Sequence, residues 1–250
     1  MQKAILFLVT CSLALATYAQ PTKSTMHSVD IAQRGLLVVV NLASESAPRH
    51  SLKKMIYINE ERNALNMILA RTRQDYGKVI VLFREETNEA NFLQSLNHLT
   101  DDPEIQAVDL ILYAHGHTAD PKYKEGGPAI GLYSADHKFS RTDALAIKVK
   151  SLSNKKLRML YSDACWGSQQ NQDWLDAGFL AVAGSTLVDG NHTLDLKRFL
   201  KKWLHGQSFG YSIEFANQSI AGKMLDRILH ADSTKIPAGF LDISIDGMID

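Results

Sequence analysis

Apolar residues gather in five short runs: residues 36–40 (LLVVV), 79–83 (VIVLF), 109–113 (DLILY), 157–161 (LRMLY) and 179–183 (FLAVA). Runs of this length, continuous rather than alternating with polar residues, predict strands buried on both faces, as in a parallel sheet. The intervening segments carry helical spacing. Asn59 is placed to cap a helix that starts with Glu60 and Glu61, buries Leu65, Ile68 and Leu69, and stops at Gly77. Thr87 or Asn88 caps a second helix with Phe92, Leu96 and Leu99 on one face, and Ser140 or Thr142 opens a third around residues 143–149. Leu196, Phe199, Leu200, Trp203 and Leu204 form an amphipathic stripe ended by Gly206, and a further helix is expected from about Ser212 to His230.

Strands alternating with helices predict an α/β fold: a mostly parallel sheet with helices on both faces. Two segments depart from the alternation. Residues 119–139, with Gly126-Gly127-Pro128 and Ile130 to Tyr133, read as a hairpin or flap inserted after the third strand. The tail, residues 231–250, contains Phe240 to Ile245 as a candidate edge strand.

The extreme amino end changes the picture of where the protein works. A basic start, Met1-Gln2-Lys3, precedes an apolar run from Ala4 to Ala16 and small residues up to Ala19, the pattern of a secretory signal peptide cut after Ala19. A lipoprotein signal with a lipidated Cys11 is the rival, disfavoured because the apolar run continues past that cysteine. A secreted or periplasmic product of about 230 residues is expected, with a short segment at residues 20–34 and one domain over residues 35–230. No later segment is long and apolar enough to span a membrane. Lys plus Arg equals Asp plus Glu, 27 each, so no global field points to nucleic acid or to an anionic membrane. Export also sharpens the cysteine count. Cys165 is left as a single thiol in an oxidising compartment, either an inert small hydrophobe or a functional group.

Candidate chemistry converges on that residue. The third strand ends in Tyr113-Ala114-His115-Gly116-His117 and the fourth in Asp163-Ala164-Cys165. If these strands are neighbours in one parallel sheet, a base and a nucleophile emerge at the same edge. An imidazole able to take the thiol proton raises the thiolate fraction. Gly116 lets a backbone N–H come close to a substrate carbonyl, and with the N–H of Cys165 it would make an oxyanion hole.

The order strand, His-Gly, inserted hairpin, helix, strand, Ala-Cys resembles the caspase-like (clan CD) cysteine peptidases, over roughly residues 35–220. The stretch from Ile58 to Leu96 is similar to the first half of a metacaspase domain, and that from Asp176 to Ser208 is closer to CHAT domains. The resemblance implies a three-layer sandwich and an endopeptidase with His115 as general base and Cys165 as nucleophile. It calls for no cofactor and implies a peptide or protein substrate. His117, followed by Thr118 rather than glycine, is the competing base. Asp163 stands where metacaspases place an acid for a basic substrate residue, which implies a preference for basic P1 side chains; a plain capping carboxylate is the alternative. No second acid follows the first strand, where Asn41-Leu42-Ala43-Ser44-Glu45 stands. Ser185 and Thr186, beyond the fifth strand, either contribute to the pocket wall or make an ordinary turn. Only residues 166–178 separate Cys165 from the next strand, too few for the cleavable linker of caspases.

Two other classes fit some of the same residues. His115 and His117 with Asp120, joined by Asp136 or His137 on the flap, would serve a metal hydrolase. A peptidase fold without catalysis would serve as a protein-binding module. Asn191-His192-Thr193 and Asn217-Gln218-Ser219 match the glycosylation pattern, which has meaning only in a eukaryotic secretory route.

Overall fold

A computed structural model describes residues 26–42, 52–118, 128–133, 139–152 and 156–249. The expected signal peptide, Cys11, Asp120, Asp136 and His137 lie outside these residues. In chain order the elements are β1 (Met26–Ser28), β2 (Arg34–Asn41), α1 (Leu52–Thr72), β3 (Lys78–Phe83), α2 (Glu89–Thr100), β4 (Ala107–Ala114), β5 (Gly116–His117), β6 (Ala129–Tyr133) and β7 (Phe139–Arg141). They continue with α3 (Thr142–Leu152), β8 (Leu157–Ser162), α4 (Asn171–Ala177), β9 (Ala181–Ser185), α5 (Leu194–Trp203), α6 (Phe209–Asn217), α7 (Ile220–Leu229), β10 (Lys235–Gly239) and β11 (Gly247–Ile249).

The five apolar runs are the five parallel strands of one sheet. Its spatial order is β10-β9-β8-β4-β2-β3, and only β10 runs antiparallel. Every residue of β2, β4 and β8 is buried, which is why these strands read as continuous runs rather than alternating ones, interrupted within β4 and β8 by the paired Asp109 and Arg158. Side chains alternate between two separate cores. Leu37, Val39, Leu110, Leu112 and Leu160 face α2, α3 and α4 through Phe92, Leu96, Val149 and Trp174. Leu36, Val38, Ile111, Met159 and Tyr161 face α1, α5 and α6 through Ile68, Phe199, Trp203 and Ile213. The result is the helix, sheet, helix sandwich that the alternation predicts.

Three local expectations are corrected. Asn59 is not a cap but lies inside α1, which begins at Leu52. Tertiary anchoring extends the helix past its local signal: Glu61, taken as a first-turn acid, is fully buried and accepts the N–H of Leu42 at 2.6 Å and Arg84 Nε at 2.8 Å. The single helix over 212–230 is two. The Ser219 hydroxyl caps α7 by accepting the Gly222 N–H, while the Asn217 amide bonds both backbone groups of Lys235. The bond donated to the Lys235 carbonyl engages the Asn217 Nδ2 to which a glycan would attach. The edge strand of the tail is residues 235–239 rather than 240–245, and the tail is integral to the sheet. Ile243 and Ile245 are instead anchors in the second core, as side chains that leave the ladder can be.

A buried ionic cluster pins this tail. Arg158 and Asp109, on adjacent strands and both fully buried, pair through two nitrogens at 2.8 and 2.9 Å. Arg158 Nη1 also donates to the carbonyl of Ile245, and Tyr76 donates to Asp109 at 2.6 Å. The inserted segment after β4 forms a small antiparallel sheet, β5-β6-β7, beside the edge where the candidate chemistry lies.

Candidate active site

β4 and β8 are hydrogen-bonded parallel neighbours, so their carboxyl ends carry His115-Gly116 and Cys165 to the same edge of the sheet. Backbone, more than side chains, makes the contact. A Cβ on Gly116 would stand 2.1 Å from the Cys165 carbonyl oxygen and 2.9 Å from its nitrogen, so only glycine allows the two chain segments to touch. The Asp189 N–H donates to the Cys165 thiol at 3.4 Å from Sγ. Gly116→Ala should therefore displace the cysteine by a sizeable fraction of an ångström. Turnover by the variant is expected to fall about a hundredfold or more, read as kcat/KM on a peptide amide, with the protein still folded.

The turn after the cysteine is built to hold it. Trp166 takes left-handed φ of 52° and donates its N–H to the Leu187 carbonyl at 2.7 Å. Such a conformation costs a residue with a Cβ roughly 1–3 kcal/mol, which the surrounding contacts must offset. Gly167 and Gly184 make that possible by direct backbone approach; a Cβ on Gly184 would lie 2.2 Å from the Gly167 carbonyl carbon.

His115 is held by its far nitrogen. Nε2 lies 2.9 Å from the Leu42 carbonyl, and a carbonyl only accepts, so Nε2 carries the proton and Nδ1 is the basic nitrogen. The ring packs edge-on against Tyr57, with centroids 5.5 Å apart. Leu42 is itself fixed by Glu61, which Arg84 pairs at 2.8 Å. Sequence reasoning missed Leu42 and Glu61, since neither a strand-end leucine nor one acid among several on a helix signals a role.

His117 points into a different environment. Its ring stacks edge-on against Phe139 at 4.2 Å, and burial lowers its pKa. Among the described residues no three His, Cys, Asp or Glu side chains converge to hold a metal.

The thiol is half-buried, and that burial pushes its pKa above the ordinary value, against the bond from the Asp189 N–H. A neutral thiol at rest is the form that a neutral imidazole deprotonates as attack proceeds. Alkylation of Cys165 by iodoacetamide should lag behind free cysteine at neutral pH. Its rate should climb through a midpoint above that of an ordinary thiol; an early plateau would mean a preformed thiolate–imidazolium pair.

Asp163 is 3% exposed, and its Oδ1 lies 2.5 Å from Lys235 Nζ. Lys235, fully buried on β10, also pairs with Asp189 at 2.6 Å and donates to the Ser185 hydroxyl at 2.7 Å. The Ser185 hydroxyl donates in turn to Asp189 at 2.6 Å. Burial raises Asp163 to a pKa of about 7, with Lys235 opposing and Asp189 assisting. The Thr186 hydroxyl donates to the Thr234 carbonyl at 2.9 Å. The residues expected to line a substrate pocket are thus engaged with the protein itself, and Asp163 already has its cation. Lys235 and Asp189 carried no signal in the sequence, because their meaning depends on β10 pairing with β9.

No protein-family model matches the sequence, and no curated protein does. Among solved structures, a secreted C11 cysteine protease from Bacteroides thetaiotaomicron, in complex with an irreversible peptide inhibitor, is similar at a TM-score of 0.50 and 11% identity over 76% of this chain. A structure of a secreted C11 cysteine protease from the same organism, "iotapain", is 12% identical over 62% of this chain and 53% of its own, with a TM-score of 0.42. The chain spans 59% of the length of the first. What this likeness shows is the fold: the chain has the mostly parallel, caspase-like sheet architecture of a C11 protease.

Proposed function

We propose that this chain is an exported cysteine endopeptidase acting through His115 and Cys165. The observation that carries the reading is the backbone contact of Gly116, the residue after His115, with Cys165 at the shared ends of β4 and β8. His115 Nδ1 takes the thiol proton as Sγ attacks the scissile carbonyl. The oxyanion accepts N–H bonds from Cys165 and Gly116, and His115 then returns the proton to the leaving amine. Water, deprotonated by His115, hydrolyses the thioester. Leu42 holds the tautomer, and Glu61 with Arg84 holds Leu42. The neighbour of like fold was solved with a peptide inhibitor and is described as secreted, which supports a peptide substrate and export. A basic P1 preference is not part of this reading, because Asp163 is buried and already paired with Lys235.

Fluorogenic peptides with basic, acidic, amide and apolar P1 residues test it. Thiol alkylation should abolish turnover while chelators leave it unchanged. The reverse pattern would favour the metal hydrolase with His115 and His117.

A second reading, a non-catalytic binding module, is favoured by the raised thiol pKa and by the Asp189 amide that already bonds the sulfur. In that case no peptide is cleaved and the thiol alkylates slowly at every pH below its own pKa.

A further inference from the structure

We propose that α7 and the basic cavity at its amino end form a docking surface for an anionic lipid bilayer. α7 is an amphipathic helix turned outward. The residues it buries are Gly222 and Asp226. Gly222 packs so closely that a Cβ would lie 2.7 Å from Asp195 Oδ1. Asp226 accepts the Ser233 N–H at 3.0 Å and hydroxyl at 2.7 Å and pairs with His192 at 3.1 Å. Polar bonds thus fix the inward face, and among the described residues nothing covers the apolar face. Ile220, Met224 and Ile228, spaced at four residues on one stripe, are 77%, 63% and 70% exposed, with Leu225 and Leu229 beside them. Scattered surface leucines are ordinary, but five large apolar side chains on one ten-residue helix are a patch.

The second observation lies where this stripe begins. A cavity of about 580 Å³ is lined by Arg71, Lys197, Arg198 and Lys201 together with Phe215, and Ile220 belongs both to its wall and to the stripe. No acidic side chain lines it among the described residues. Phe215 fixes one of these cations, its carbonyl accepting Arg198 Nε and Nη2 at 3.0 and 2.9 Å and its ring lying 4.1 Å from the guanidinium carbon. The amino end of α7 adds its partial positive charge at the same place. Formal charge over the whole chain is zero, so this concentration of cations is local.

A ridge of aliphatic side chains bordered by cations matches a bilayer interface, where an apolar layer lies just beneath a layer of anionic headgroups. The apolar residues would enter the acyl boundary while a headgroup phosphate sits in the cavity. An acidic peptide would satisfy the cations but leave the ridge in water.

The test is co-sedimentation of the whole protein with vesicles of phosphatidylcholine alone and of phosphatidylcholine mixed with phosphatidylglycerol. Binding is expected to the mixed vesicles only, and to weaken with salt. Replacing Lys197 and Lys201 together by glutamine should reduce it on the order of 20- to 30-fold. Met224→Gln with Ile228→Gln should abolish it, while both double variants keep the wild-type circular dichroism and melting temperature. Inorganic phosphate should compete only weakly, because it replaces the headgroup and not the bilayer. Equal binding to both vesicles, or none to either, overturns the proposal. So does tight binding of polyglutamate that the Met224 and Ile228 changes leave untouched, which would assign the surface to an acidic peptide.

Discussion

Cys165→Ala is expected to lower peptide turnover by about 10⁴-fold or more, down to the background of the binding cleft alone. No other described group stands in the sulfur's place: Asp189 presents only its amide to it, and the nearby Ser185 hydroxyl is buried in bonds to Asp189 and Lys235. His115→Ala should cost nearly as much, and the double variant little more than either single one, because nucleophile and base act as a unit. His117→Ala should be near neutral for chemistry, since that ring packs on Phe139. The measurement is kcat/KM on a peptide amide for all four proteins. Turnover that survives Cys165→Ala removes the cysteine-peptidase reading, and a loss confined to His117→Ala would move the base to that residue.

Lys235→Met should be the most destabilising of the substitutions near the site, by about 3–5 kcal/mol above neutral pH, because it leaves buried carboxylates without their cation. Asp163 and Asp189 both lie within 2.6 Å of Nζ, and all three residues are almost fully buried. The sign of the pH dependence follows from Asp163. Its folded pKa is already raised to about 7, so its ionisation in the folded state opposes stability increasingly as pH rises from the ordinary carboxylate range to 7. Removing the ammonium raises that pKa further and widens the window upward. The variant should therefore recover stability on mild acidification, when the carboxylates take up protons, whereas the wild type changes less. Denaturant melts of both proteins at several pH values measure this. A penalty independent of pH would mean that lost packing, not unpaired charge, is the cause. Because the Asp189 N–H bonds Sγ, the same variant should also alter the pH profile of Cys165 alkylation.

Much of the architecture was legible along the chain. β2, β4 and β8 are buried on both faces and read as largely apolar, non-alternating runs, and α2 and α5 show their stripes because each buries one face only. What misled was local: Asn59 is a good cap residue in the middle of a helix, and the break at Ser219 depends on Asn217 bonding Lys235, eighteen residues on. Propensity is weak beside such anchoring.

The candidate site divides in the same way. His115, Gly116 and Cys165 stand out because a parallel sheet delivers its strand ends to one edge, while the adjacency of β4 and β8 comes from the folded sheet. Which nitrogen of His115 is basic, and that Leu42 and Glu61 decide it, depends on side chains meeting the Leu42 backbone from 73 and 19 residues away. Asp163 makes the contrast sharpest. Its position two residues before the cysteine is read from the chain, but its partner comes from the antiparallel edge strand β10, and only the folded sheet brings that ammonium to it. Sequence by itself determined the layers and the shared edge, because burial imposes a period on neighbouring residues. Tertiary structure alone decided which charges are already paired and that α7 turns its apolar face outward, because those depend on contacts between segments that no local period records.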